Sequence, residues 1–120
     1  MKEIRALLLQ DTEITQLLNG EHIYLIEKPE QINAENYIIY KYKPLAGGLI
    51  KDYQLEFNLI GKDILKLLQL QNRLITLLDD MQAINLDNIR YIKLLNGGGM
   101  IKNPDTSNYH IILYFLVKTH

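Results

Sequence analysis

The segment from Tyr109 to Val117 constrains the fold more than any other. Read as a strand, it is apolar on both sides: Tyr109, Ile111, Leu113, Phe115 and Val117 alternate with Ile112, Tyr114 and Leu116. Successive side chains of a strand point to opposite faces of its sheet, so this one needs cover twice. One layer of helices gives one cover, and a neighbouring subunit can give the other.

The rest of the chain supplies the sheet and the helices. Tyr53, Leu55, Phe57 and Leu59 alternate strictly with Gln54, Glu56 and Asn58, the pattern of a strand with one apolar and one polar face. Tyr37 to Lys43 is β-branched and aromatic and reads as its antiparallel partner, joined to it by a long tip from Pro44 to Asp52 that contains Gly47 and Gly48. Ile23 to Ile26 forms a short strand, and Ile89 to Leu95 a further one. Ile4, Leu7 and Leu8, then Ile14, Leu17 and Leu18, lie at helical spacing on either side of Asp11-Thr12, giving two short helices or one kinked helix that stops at Asn19-Gly20. The clearest helix runs from Ile64 to about Leu78, with Asp63 as its N-cap and Asp79-Asp80 at its end. Ile64, Leu67, Leu68, Leu74, Ile75 and Leu78 make one face of it, and Leu65, Leu70 and Leu77 fall outside that face as surplus apolar surface. The order α-β-β-β-α-β-β predicts an α+β fold: a largely antiparallel sheet packed on one face by two helices, with residues 1–120 as a single domain.

Composition narrows the function classes. A domain of 120 residues buries roughly 60–70% of the surface its unfolded chain exposes, so some apolar side chains end at the surface or at a partner. The formal net charge of −1 argues against a free-standing nucleic-acid binder. The absence of cysteine excludes disulfides, thiolate metal sites and thiol nucleophiles. No apolar run approaches the roughly 20 residues of a membrane span, and no signal peptide is visible, which predicts a cytoplasmic site of synthesis.

No constellation of catalytic residues emerges. His22, His110 and His120 lack the spacing of a metal site. The single serine, Ser107, stands between Thr106 and Asn108 rather than in the glycine-flanked turn of a nucleophile elbow. Gly97-Gly98-Gly99 is followed by Met100 to Pro104, not by the lysine, hydroxyl and helix of a phosphate loop, and reads as a flexible hairpin tip. No catalytic residue, cofactor or metal is therefore expected. Eight tyrosines against two phenylalanines suit strands, and also suit a sheet that meets other subunits.

The layout nevertheless has a likeness. An N-terminal helix runs into "HIYLIEKP", then "YIIYKYKP", a glycine-containing loop, "YQLEFNLIGKD" leading into an amphipathic helix, and a closing "YHIILYFLV". This resembles the tail-completion and tail-terminator (head–tail joining) proteins of long-tailed bacteriophages and prophages over most of the chain. The match is one of pattern and order. The resemblance implies a virion protein of the tail, assembled in the host cytoplasm, whose copies form a ring, usually of six, at the head-proximal end of the tail tube. Its partners would be further copies of itself, the tail tube protein and the head connector, with DNA passing through the channel and no membrane involved. The loop of Pro44, Leu45, Ala46, Gly47, Gly48, Leu49, Ile50 and Lys51 would reach toward the lumen or the adjoining ring. Leu65, Leu70 and Leu77 on the helix, with Ile112, Tyr114 and Leu116 on the last strand, would make subunit contacts. A head-completion adaptor or stopper of the same connector is the alternative. A small α+β enzyme or ligand-binding domain, marked by a closed polar pocket, is a third.

Overall fold

The computed structural model describes residues 2–46, 52–82 and 88–119. Three helices and six strands follow one another as α1 (Lys2–Gln10), α2 (Thr12–Leu18), β1 (Ile23–Leu25), β2 (Asn36–Ala46), β3 (Asp52–Gly61), α3 (Ile64–Leu78), β4 (Met81–Gln82), β5 (Ile89–Lys102) and β6 (Tyr109–Thr119). The strands form one sheet in the order β1-β2-β3-β6-β5-β4. Only the β1–β2 pair is parallel. The chain is thus α+β with a largely antiparallel sheet, and the N-terminal region gives two helices rather than a single kinked one.

The break between α1 and α2 is a capping event. Asp11 is extended and accepts a hydrogen bond from the Ile14 N–H at 3.1 Å, which satisfies one of the free donors at the start of α2. Asn19 ends α2 in the left-handed conformation, and the Gly20 N–H bonds back to Thr15 O. Asp63 opens α3 in the same manner as Asp11, accepting from the N–H groups of Leu65 and Lys66. Asp11 has a second role. Its carboxylate takes both Arg73 Nε (3.0 Å) and Nη2 (2.7 Å), clamping α2 onto α3, and Glu13 adds a contact at 3.1 Å. The Arg73 hydrogen bonds hold the Asp11 carboxyl below its ordinary range. A carboxyl depressed in the folded state stabilises the fold above its unfolded value and loses that contribution as pH falls through the folded one. Asp11→Asn keeps a capping side chain but loses the charge. We expect it to flatten the acid limb of a stability–pH curve below about pH 4, with Asp11→Ala costing a further ~1 kcal/mol for the cap. Identical acid limbs in wild type and Asp11→Asn would remove Asp11 from that account.

The core lies between the helices and one face of the sheet. Ile38 and Tyr40 of β2, Leu55, Phe57 and Leu59 of β3, and Ile111, Leu113, Phe115 and Val117 of β6 meet Ile4, Leu8, Ile14, Leu18, Leu67, Leu70, Leu74 and Leu78 in a single cluster. Phe57 and Phe115 pack edge to face at 5.7 Å in its centre. The buried face of α3 is turned toward Leu70 relative to the sequence pattern: Leu70 is 0% exposed, while Ile64, Leu68 and Ile75 flank the core half-buried. A helix that covers a twisted sheet while touching α2 buries a broad arc, so counting one stripe placed Leu70 on the wrong side.

Two loop expectations are corrected. Pro44, Leu45 and Ala46 belong to β2, with Pro44 opposite Tyr53 and Ala46 opposite Asp52 across a register shift; residues 47–51 lie outside the described residues. Gly97 to Gly99 is not a hairpin tip. β5 continues through it to Lys102, and the tip lies at Asn103–Asn108. The glycines occupy a strand that shifts register between Leu94 and Asn96 and again between Gly97 and Gly99, where Gly99 has φ +92°. Bulges of this type draw on glycine because one residue must leave the ladder.

Candidate assembly surfaces

The register of the strands sorts every sheet residue onto one of two faces. Ile39, Asn58 and Ile112 lie side by side on the face away from the helices, as do Lys41, Glu56 and Tyr114, and then Lys43, Gln54, Leu116 and Lys93. All three helices pack into the core on the other side. Ile112, Tyr114 and Leu116 are half-buried on this open face, screened by their neighbours rather than by a second layer. Its ion pair is Lys41 Nζ to Glu56 Oε2, at 3.5 Å. At one corner Lys28 donates to Pro29 O and Ile32 O, and its ammonium stands 5.5 Å from the centre of the Tyr37 ring.

The two edges of the sheet are only partly covered. β1 pairs with Ile38, Ile39 and Tyr40 and then leaves, because Ile26 adopts φ 70° and turns the chain away after donating its N–H to Tyr40 O. The half of β2 from Lys41 to Ala46 pairs with β3 on one side and has no strand on its outer side among the described residues. On the far edge β4 pairs only with Tyr91 and Ile92, so among the described residues β5 from Lys93 to Lys102 has no strand on its outer side, and within that stretch the Leu94 N–H is taken by the Asp79 carboxylate. Large apolar side chains gather along these edges. Of the eight that are exposed among the described residues, Leu25, Ile26, Tyr42 and Leu45 lie on the β1–β2 side, Leu95, Met100 and Ile101 lie on β5, and only Leu65 lies on a helix. Scattered exposed apolar residues are ordinary; alignment along two strand edges is not.

The six residues expected at subunit contacts therefore divide. Ile112, Tyr114 and Leu116 come together on the open face. Leu65 is 69% exposed at the start of α3, and Leu77 is half-buried against the core. Both α3 residues lie across the sheet from the open face, and Leu70 is wholly internal and offers nothing to a partner. Sequence reasoning missed the edge residues Leu95, Met100 and Ile101. Their signal was present, since apolar residues flanking a glycine run inside a strand pattern suggest a bulged edge.

Several titratable groups hold parts of the fold together. His22 Nδ1 is 2.8 Å from the Tyr24 hydroxyl, and His110 lies half-buried on the open face; His120 is outside the described residues. Asp79 accepts from the Leu94 N–H at 2.8 Å and Asp80 from the Tyr91 hydroxyl, so the acidic pair that ends α3 fastens β5 to it. The bond to Asp80 raises the Tyr91 pKa. Ser107 sits in the β5–β6 tip with φ 61°, its N–H on Asn103 O. A polar cleft of about 730 Å³ opens at the end of the sheet between α2 and the start of α3, lined among others by Asn19, His22, Asn36, Lys62 and Lys66. No group of three or more potential metal ligands clusters among the described residues. No described helix is long and apolar enough to cross a membrane.

No protein-family model matches the chain, and no curated protein matches it in sequence. The fold itself is shared. A chain in the solved structure of the virion of a native gene transfer agent particle superposes with a TM-score of 0.71. The two are 12% identical, and the match covers 98% of this chain and 89% of that one. At this identity the likeness concerns the fold, and it extends over nearly the whole chain.

Proposed function

We propose that this protein is a structural subunit of a phage-like virion, and that its copies form a ring at the head-proximal end of the tail. There the ring ends growth of the tail tube, joins it to the head connector, and leaves a channel for DNA. The observation that carries the reading is the whole-chain fold likeness to a virion chain. The layout of the sequence supports it, and so do the open edges of the sheet. A ring requires two different patches on each subunit, one for each neighbour. The open face, with Ile112, Tyr114 and Leu116, then turns toward another part of the assembly. The stretch from Pro44 to Lys51, which starts in the last residues of β2, reaches toward the lumen or the adjoining ring.

Light scattering and negative-stain imaging of the purified protein, alone and mixed with tail tubes of its own particle, test the reading. Rings of about six subunits, or rings capping tube ends, are expected. A protein that stays monomeric in both settings contradicts it. A functional test follows from the connecting segment. Replacing Leu45 by serine should leave the circular dichroism and melting of the subunit nearly unchanged, since Leu45 is already exposed on its strand. It should lower the yield of joined, infectious or transducing particles at least tenfold. Undiminished particle yield would discard that role for the segment.

A further inference from the structure

The two open edges differ in a way that makes them fit each other. In the sheet order β1-β2-β3-β6-β5-β4, β2 and β5 run in opposite directions, because β2 is antiparallel to β3, β3 to β6, and β6 to β5. If one copy is set beside the next by translation across the strands and a turn, β2 of one meets β5 of the other antiparallel. The sheet then continues with the pairing it already uses. The shorter uncovered stretch, Lys41 to Ala46 on β2, fits within the longer one, Lys93 to Lys102 on β5.

Their placement along the strands is diagonal. β2 is open toward its C-terminal end, level with Asp52 to Glu56 of β3. β5 is open from Lys93, which is level with Leu116, down to Lys102, which is level with Tyr109. Matching the centres of the two open stretches displaces one copy along the strand direction. A stagger of this kind is what a sheet needs in order to tilt its strands and close on itself. A flat, unstaggered array would leave half of each open stretch unmatched.

The backbone of β2 shows which groups face outward. Ile38 donates to His22 O and Tyr40 accepts from the Ile26 N–H, so even-numbered residues direct their backbone polar groups away from β3. Tyr42 and Pro44 continue that series. The missing N–H of Pro44 is therefore lost from the edge and not from the β2–β3 ladder. This leaves the Tyr42 N–H, the Tyr42 carbonyl and the Pro44 carbonyl for a partner, a short and specific set rather than a sticky edge. The exposed Tyr42 and Leu45 add apolar contact on this side, and Leu95, Met100 and Ile101 add it on the other.

We infer that the occupant of both edges is a second copy of this chain: the open half of β2 in one subunit binds the open half of β5 in the next, head to tail. The inference rests on the ring reading above for its closure, but it names the contact independently. One heterologous contact covers both apolar edges on every subunit of a closed ring, which two unrelated partners would have to do separately.

The test uses two variants of the full chain. Leu95→Lys with Ile101→Lys blocks β5, and Tyr42→Lys with Leu45→Lys blocks β2. All four side chains are exposed, so each variant should keep the wild-type circular dichroism spectrum. Under conditions in which wild type forms rings, with or without tube ends, each variant alone should remain monomeric. An equimolar mixture should form dimers and nothing larger, because each partner brings one intact edge. A second measurement uses the absence of cysteine. Leu45→Cys and Leu95→Cys in one chain, which the matched centres bring nearly opposite each other, should give a ladder of covalent oligomers with a short bismaleimide, whereas either single variant should give none. Rings formed by either blocked variant, or crosslinked dimers from a single-cysteine variant, would overturn the edge contact while leaving the ring reading in place. Wild type that is monomeric both alone and on tube ends overturns both.

Discussion

Gly61→Ala is expected to lower the stability of the subunit by about 3 kcal/mol, the upper end of the range for overpacking a closed site. Gly61 closes β3 two residues before the cap of α3 and lies opposite Asn36 in the ladder. A methyl group there would stand 2.0 Å from Asn36 Oδ1, 2.9 Å from its Cγ and 3.0 Å from the Glu35 carbonyl oxygen. Asn36 cannot easily yield, since it is 4% exposed. Its Oδ1 has no hydrogen-bond partner among the described residues. The requirement is spatial and does not come from an unusual backbone angle at Gly61. The compensating change is therefore Asn36→Ala. In the double variant the two closest contacts vanish and only the Glu35 oxygen remains, so most but not all of the loss should return. Urea unfolding of the four proteins measures this as a cycle. A Gly61→Ala midpoint equal to wild type, or losses that simply add, would show that the crowding at Asn36 does not decide the strand-to-helix switch.

That switch is also where the sequence was most legible. Asp63 caps α3, Asp11 caps α2 and Asn19 ends it because each event is local, set by the side chain and the next few backbone groups. The β2–β3 pairing was legible for a related reason: alternation fixes which face is buried, and adjacent strands tend to pair. The length of β5 was not. Gly97-Gly98-Gly99 has the composition of a turn, and only the pairing with Leu113 and Ile112 of β6 keeps it in the ladder. Leu70 shows the same limit on a helix. Its burial depends on where α2 and the sheet sit around α3, which helical spacing alone does not specify. The open edges of the sheet fall in this second group. That Tyr42, Leu45, Leu95, Met100 and Ile101 lie on uncovered strands follows from β1 and β4 being short, and the shortness of β1 depends on one positive φ at Ile26.

The apolar strand near the C-terminus should behave as two different strands when its faces are tested separately. Phe115 is fully buried, packs on Phe57 and is paired with Leu55 and Leu94. Phe115→Ala removes an aromatic ring from the centre of the core, and about 3–5 kcal/mol of stability should go with it. For a domain of this size that is a large part of the total. Leu116, the next residue, points to the open face and is half-buried among Gln54, Lys93 and their neighbours. Leu116→Ala should cost the isolated subunit only ~1 kcal/mol, about half of what full burial of a leucine contributes. The difference arises because the helices cover one face of β6 and leave the other open. Assembly should reverse the order of importance. If the open face is turned toward another virion component, Leu116→Ser combined with Ile112→Ser should leave a monomer that folds but caps tail tubes poorly. Chemical denaturation of the monomer, set beside capped-tube counts from negative stain, separates the two effects. Equal losses of stability at Phe115 and Leu116 would mean that the open face is already finished within one subunit, and that the second cover demanded by the sequence of β6 is internal.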